Sequence, residues 1–273
     1  MKYGLALPYN YAHRIVDFAQ MVERAGWDGL FLGDAIWCED PMITLTAAAV
    51  VTERIRLGTM INPVPIRRPW KLASESIALD RISDGRLILG LATGAVWMGW
   101  YAFPDEETDN RARAEMLDET IDILTLFSQR QPFDFDGRHY HLKLSELDVM
   151  YYPPQPVQQP RIPIWIPGIW PRQKSLKRVL KCDGMFLEKI SPEGEPETVS
   201  PADLRQIRAY VEEHRTLDAP FDYVATGKVS NLDERERVEV LQSWGEAGAT
   251  WWVEGLWEGT EEEVEEVIEK RLG

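Results

Sequence analysis

The stretch from residue 55 to residue 94 constrains the fold most strongly, because it predicts two buried strands joined by a helix. Its first apolar run, Ile55 to Ile61, and its last, Leu87 to Ala92, have the length of buried strands. Between them, apolar side chains recur on one helical face from Pro69 onward, and proline suits a first helical position. Strands joined in this way form a right-handed parallel βαβ unit.

The same alternation continues along the chain and gives eight strands, each followed by a helix. The predicted strands are Tyr3 to Leu7, Gly29 to Gly33, Ile55 to Ile61, Leu87 to Ala92, Ile162 to Ile166, Gly184 to Leu187, Phe221 to Val229 and Ala249 to Val253. Eight such units at roughly 250 residues are typical of a TIM barrel. A doubly wound sheet would carry GxGxxG after its first strand, and Leu5 to Asn10 do not. We therefore predict an α/β fold, a (β/α)8 TIM barrel, as a single domain over residues 1–273.

One segment breaks this rhythm. Residues Gln129 to Arg161 are rich in aromatic residues and proline and show no sustained period. Irregular segments of this length in compact domains are usually functional or interfacial. We predict an irregular insertion after the fourth helix, with one short strand pair.

Composition limits the partners. The formal net charge of -15 argues against nucleic acid, whose phosphates repel an acidic surface. No run approaches the roughly 18 apolar residues of a membrane span, and proline interrupts the N-terminus too early for a signal peptide. The two cysteines, Cys38 and Cys182, offer neither a metal spacing nor a disulfide framework. We expect a cytoplasmic homodimer that acts on a small molecule and contacts no membrane.

In a TIM barrel, function is built at the C-terminal ends of the strands. Three carboxylates fall at predicted strand ends, Asp34, Glu188 and Glu254, and no histidine does. Metal sites in enzymes need several convergent His, Asp or Glu ligands, so we predict no metal. Glu188 and Glu254 would suit a glycosidase pair if they lay about 5 Å apart. We favour the simpler interpretation, that each is a solvated or ion-paired strand end.

Small residues at two strand ends point instead to a flat ligand. Thr93-Gly94 and Pro167-Gly168 would let a planar or anionic molecule approach the backbone. Trp37 and Trp97 are close to predicted strand ends in sequence. Together these features suggest a planar, phosphorylated cofactor.

The chain resembles the bacterial-luciferase-like oxidoreductases, which are flavin- or coenzyme-F420-dependent (β/α)8 proteins. The most extensive similarity is in RLGTMINPVPIRRPWKLASESIALDRISDGRLILGLATG. Further similar segments, in the family's order, are AGWDGLFLGD, RAEMLDETIDILTLF, FDGRHY, and the run from the proline-rich IPIWIPG stretch to CDGMF. The similarity covers most of residues 1–190, whereas the C-terminal third matches only in rhythm.

The resemblance implies F420 or FMN lying over the strand ends. It also implies an oxidoreductase or monooxygenase that transfers hydride or activates O2 at the cofactor ring. By resemblance, the cofactor-binding residues are Asp34, Thr59, Met60, Ile61, Asn62, Ala92, Thr93, Gly94, Pro167 and Gly168. A non-prolyl cis peptide is expected near Thr59-Met60. We predict Asp34, Trp37 and Glu188 as the catalytic residues.

The sequence departs from the family pattern at three places. Asp34-Ala35 stands where Asp-His is frequent, and the loop after Gly94 lacks a frequent acidic residue. Pro167-Gly168 replaces Gly-Gly. Two alternatives therefore stay open: a degenerate flavin-binding protein without turnover, and a cofactor-free TIM-barrel hydrolase or lyase.

Overall fold

A computed structural model describes residues 1–129 and 132–270, and eight parallel strands in it close into one barrel. The barrel strands are β1 (Lys2–Leu7), β2 (Gly29–Leu32), β3 (Arg56–Thr59), β4 (Leu87–Ala92), β5 (Ile164–Trp170), β6 (Gly184–Ile190), β7 (Asp222–Gly227) and β8 (Trp251–Gly255). Each strand pairs in parallel with the next, and β8 pairs with β1. The predicted (β/α)8 fold is confirmed.

Eight helices surround this barrel. They are α1 (Ile15–Ala25), α2 (Pro41–Ala49), α3 (Pro69–Ile82), α4 (Asn110–Ser128), α5 (Gln173–Val179), α6 (Pro201–His214), α7 (Glu234–Ala247) and α8 (Glu261–Lys270). Their starts follow local sequence: Asp40 caps α2 ahead of a first-turn proline, and Ser200 with Asp203 forms a capping box on α6. In the described part of the chain, none of the helices has both the length and the apolar character of a membrane span.

Large aromatic rings fill the inside of the barrel. Phe31, Trp165 and Trp251 lie with ring centroids 5.5–5.8 Å apart, and Phe186 adds an edge-on contact to Trp165. The strands make room for them with glycine: a Cβ at position 4, 29, 58 or 184 would lie within about 3 Å of one of these rings. The interior is therefore a packed core, and a ligand has to bind above it.

Several strand boundaries differ from the prediction, and two of the differences, in β3 and β5, bear on the barrel mouth. β3 ends at Thr59 rather than Ile61, and β5 does not stop before Pro167 but continues to Trp170. Beyond Trp165, β5 pairs with β6 only, so its edge toward β4 is open. A proline is tolerated there because no ladder hydrogen bond is needed on that side.

The insertion after α4 contains the expected short strand pair. Residues Asp134–Asp136 and His141–Lys143 pair antiparallel, and the Glu119 carboxylate accepts backbone N–H groups from the turn between them. The end of the insertion is tied to α3, where Asp80 accepts the N–H groups of Val157 and Gln158. Of the predicted irregular segment, Arg130 and Gln131 lie outside the described residues.

A buried arginine ties the N-terminal face of the barrel together. The Arg86 guanidinium donates to the carbonyl oxygens of Ala49, Thr52, Ile55 and Ser83 at 2.6–3.1 Å. It also donates to the Thr52 hydroxyl at 2.8 Å. These acceptors come from the end of α2, the start of β3 and the end of α3, so one side chain joins three elements.

Replacing Arg86 by methionine should lower the free energy of unfolding by about 3–5 kcal/mol, because it leaves several buried carbonyl oxygens without a donor. Urea unfolding followed by circular dichroism measures the change. Arg81→Met is the matched control: this arginine is exposed on α3, and its replacement should cost less than about 0.5 kcal/mol. Equal losses in the two variants would contradict the role given to Arg86.

Candidate functional site

The candidate site is the mouth of the barrel, where the strands end above the aromatic core. Its floor is formed by Met60, which packs with the core rings and is 8% exposed, and by the neighbouring Ile61. The Met60–Ile61 peptide bond is cis, one bond later than the predicted Thr59-Met60. Asn62 and Pro63 then run beside the end of β4.

A hydrogen-bond cluster fixes this strand end from below. The Thr59 hydroxyl donates to the Gly90 carbonyl oxygen and accepts the Gly90 N–H, both at 2.9 Å. It also accepts from Asn62 Nδ2 at 3.1 Å, which settles the orientation of that amide, since the single hydroxyl proton is already used. Asn62 Oδ1 is buried and has no partner in the described residues.

The residues that follow β4, predicted to bind the cofactor, are held in place by an arginine of α4. The carbonyl oxygens of Thr93 and Gly94 accept from Arg113 Nη1 at 2.8 and 2.7 Å. Gly94 has φ +83°, and a Cβ there would lie 2.6 Å from the ring of the buried Trp100. Glycine is required for this turn, and Ala92 to Gly94 form a rigid edge beside the floor.

Asp34 lies at the end of β2, but it is not a free carboxylate. Asp34 Oδ2 accepts from Arg67 Nη2 at 2.7 Å and from Nε at 3.0 Å, and Arg67 also contacts Asp40. Burial raises the pKa of Asp34, and the Arg67 guanidinium opposes that rise. The pair joins the loop after β2 to the loop before α3. Asp34 therefore shapes the rim of the mouth and is poorly suited to exchange protons.

Trp37 lies in the same loop as Asp34 and is 85% exposed. Its ring contacts Phe103 of the loop after β4, with ring centroids 6.3 Å apart. Trp97, in that second loop, is 83% exposed. Contiguous exposed apolar surface can mark a ligand site, and the contact between Trp37 and Phe103 joins the loops after β2 and β4 into one such surface.

Pro167 and Gly168 lie within β5 and not in a loop. A Cβ on Gly168 would lie 2.2 Å from Met185 Cε and 3.1 Å from Val179 Cγ2. Packing between β5, β6 and α5 accounts for the glycine at this position.

The two candidate glutamates face opposite sides of the barrel wall. Glu188 follows the interior residue Phe186 by two positions on β6, so it faces the barrel axis at the mouth. Its side chain reaches solvent and has no hydrogen bond or ion pair in the described residues, and desolvation by the surrounding protein raises its pKa. Glu254 is fully buried on the outer face and accepts from the backbone of Val229 and Ser230. A glycosidase-type pair is not formed.

In residues 1–129 and 132–270, no three His, Cys, Asp or Glu side chains converge as a metal site would need. Two residues at the mouth were given no role from sequence. Arg67 could have been suspected from the paired arginines before α3, and Tyr9, which lies on Gly33, from its position directly after the first strand.

Replacing Arg67 by methionine should lower the free energy of unfolding at pH 8 by about 3 kcal/mol, because Asp34 is left buried without a counter-charge. The pKa of Asp34 in the folded variant then lies further above its unfolded value. The penalty is therefore present at high pH and disappears below the ordinary carboxyl pKa of about 4, where both states bind the proton. Urea unfolding at pH 8 and pH 4 measures this.

The double variant Arg67→Met with Asp34→Asn is the matched control, since it removes the stranded charge and should recover most of the stability at pH 8. A single variant as stable as the parent protein at pH 8 would show that the ion pair is dispensable.

A family model for luciferase-like monooxygenases matches residues 3–269. A putative coenzyme F420-dependent oxidoreductase of Mycobacterium tuberculosis is 35% identical over 153 residues, which are 53% of this chain and 42% of the relative. The match thus spans less than half of that protein.

Two solved structures share the fold. Coenzyme F420-dependent tetrahydromethanopterin reductase from Methanopyrus kandleri has a TM-score of 0.73 at 18% identity, covering 98% of this chain and 96% of that one. The oxygenating constituent of 3,6-diketocamphane monooxygenase from Pseudomonas putida, in complex with FMN, has a TM-score of 0.67 at 18% identity, with coverages of 90% and 73%. Because the family model spans nearly the whole chain, the protein belongs to the luciferase-like monooxygenase family.

Proposed function

We propose that this protein is an oxidoreductase that binds F420 or FMN across the barrel mouth and acts on a small organic substrate. The observation that carries the proposal is the apolar floor of Met60 and Ile61. This floor lies directly on a filled aromatic core and is bordered by the rigid edge from Ala92 to Gly94. A flat ring can rest on such a floor but cannot enter the barrel.

The residues present fit such a ring. The buried, unpartnered Asn62 Oδ1 offers an acceptor beside the floor, and a flavin or deazaflavin ring carries an N–H that needs one. The Asp34–Arg67 pair closes the β2 side of the mouth. When bound, the cofactor supplies hydride transfer or O2 activation at its central ring.

The chain's own residues then have distinct tasks. Trp37 and Trp97 cover an apolar substrate and exclude water from it. Glu188 faces the mouth, has no partner among the described residues, and moves a proton to the substrate. Asp34, proposed from sequence as catalytic, acts as a positioning residue through Arg67. The homodimer and the cytoplasmic location remain predictions.

The purified protein should bind one of the two cofactors with a micromolar or lower dissociation constant, measured by tryptophan fluorescence quenching and by the visible absorbance of the cofactor. Ile61→Glu places a charge on the floor and should weaken binding by more than 10-fold. Val238→Glu, on the exposed face of α7, is the matched control and should bind as the parent does. Failure of the parent protein to bind either cofactor would refute the proposal. Binding without any turnover would identify a degenerate binder.

Glu188→Gln should lower the rate of substrate-dependent cofactor turnover about 100-fold, because a positioned general acid contributes on that order. Desolvation raises the pKa of Glu188. The turnover rate of the parent protein should therefore fall as pH rises through that pKa, and this fall should be absent from the pH profile of the variant. Stopped-flow reoxidation of the reduced, bound cofactor by a panel of ketones measures both. Glu193→Gln, in the exposed loop after β6, is the control. An unchanged pH profile in Glu188→Gln would remove Glu188 from the proton transfer.

A further inference from the structure

Tyr9 occupies a built position at the mouth that the proposed mechanism does not use. It follows β1, and its ring lies against Gly33, which follows β2. A Cβ on Gly33 would lie 2.7 Å from Tyr9 Cε1, 2.9 Å from Cζ and 3.2 Å from the hydroxyl oxygen. Any side chain at position 33 would therefore displace the phenol. Glycine leaves the space in which the Tyr9 ring lies, and we call this space the seat of Tyr9.

The seat is on the axial side of the wall. Side chains alternate along a strand, and Phe31, two residues before Gly33, lies inside the barrel. Continued one residue past the end of β2 at Leu32, this alternation directs a side chain at position 33 to the mouth, and the Tyr9 ring lies on that side of Gly33.

The Tyr9 hydroxyl is a free donor. It has no hydrogen-bond partner in the described residues, whereas Tyr11 and Tyr152 each donate to a backbone carbonyl oxygen at 2.6 Å. Burial, with the nearby Cys38 and Asp34, raises the pKa of Tyr9, so the phenol keeps its proton at neutral pH. Asp34 does not remove that proton because Arg67 already satisfies its charge.

The other unpartnered groups around the mouth explain what this donor is for. Asn62 Oδ1 is an acceptor, so it matches an N–H group of a ligand, and Glu188 is already assigned to the substrate. The ring carbonyl oxygens shared by FMN and F420 instead need donors. A half-buried phenol held in a fixed seat meets that need with little loss of conformational entropy.

We propose that the Tyr9 hydroxyl donates a hydrogen bond to a carbonyl oxygen of the bound cofactor ring. This rests on the proposed function. Tyr9 is a cofactor-binding residue that orients the ring on the floor of Met60 and Ile61, and it transfers no proton.

The test compares Tyr9→Phe with Tyr101→Phe, a control that removes a hydroxyl from an 88% exposed tyrosine in the loop after β4. Dissociation constants for FMN and F420 come from absorbance titration, and Raman spectra of the bound cofactor report its carbonyl stretching frequencies. Tyr9→Phe should bind the cofactor about 5- to 10-fold more weakly and shift one carbonyl band to higher frequency, since one hydrogen bond is lost. Its thermal midpoint should match the parent's, because no internal partner of the hydroxyl is removed.

Gly33→Ala provides a second route to the same contact. Its Cβ should displace the phenol and weaken cofactor binding to a similar degree. In the double variant with Tyr9→Phe, the Gly33→Ala change should weaken binding by less than it does in the parent protein. Parent-like affinity and unshifted carbonyl bands in Tyr9→Phe would overturn the proposal for Tyr9 while leaving the proposed function intact. A parent protein that binds neither cofactor would overturn both.

Discussion

The packing of aromatic rings inside the barrel determines where everything else can lie. Phe31, Trp165, Phe186 and Trp251 close the interior from the strand bottoms to the level of Met60. Rings of this size fit only because glycines stand opposite them on neighbouring strands. A filled barrel leaves one concave surface formed by all the strands, which is the rim of C-terminal loops. The position of the candidate site is thus a consequence of core packing.

Above that core, most of the polar side chains around the mouth form hydrogen bonds or ion pairs within the protein. Arg67 neutralises Asp34, and Arg113 donates to the carbonyl oxygens after β4. Glu254 accepts hydrogen bonds from backbone N–H groups of the loop after β7. Such fixed contacts pre-organise the rim, so that little conformational entropy is lost when a ligand binds. In the part of the chain that the structure describes, Glu188, Tyr9 and Asn62 Oδ1 have no such partners, and these are the groups that we propose to act on a ligand.

The fold could be predicted from the sequence because hydrophobic periodicity and the capping and turn residues that end each element are local properties. Each βα unit, the capping of α2 and α6, and the parallel pairing are present in short stretches of residues. Contacts between residues that are far apart in the sequence could not be predicted in this way. Asp34 and Arg67 are 33 positions apart, and nothing local distinguishes a free carboxylate from a paired one. The orientation of Glu188 and Glu254 was equally hidden, since a shift of one position along a strand exchanges the inner and outer faces.

The same distinction explains why total charge says little about this site. Acidic residues exceed basic ones by 45 to 30, yet the acidic residues near the mouth have different environments. A carboxylate that accepts two backbone N–H groups, as Glu254 does, stabilises a loop, and one clamped by a guanidinium, as Asp34 is, stabilises a contact between loops. Only a carboxylate without such partners keeps its capacity to exchange a proton with a ligand. The proposed chemistry at the mouth therefore depends on which acidic group the fold leaves unpaired, and among the described residues Glu188 has no hydrogen-bond or ion-pair partner.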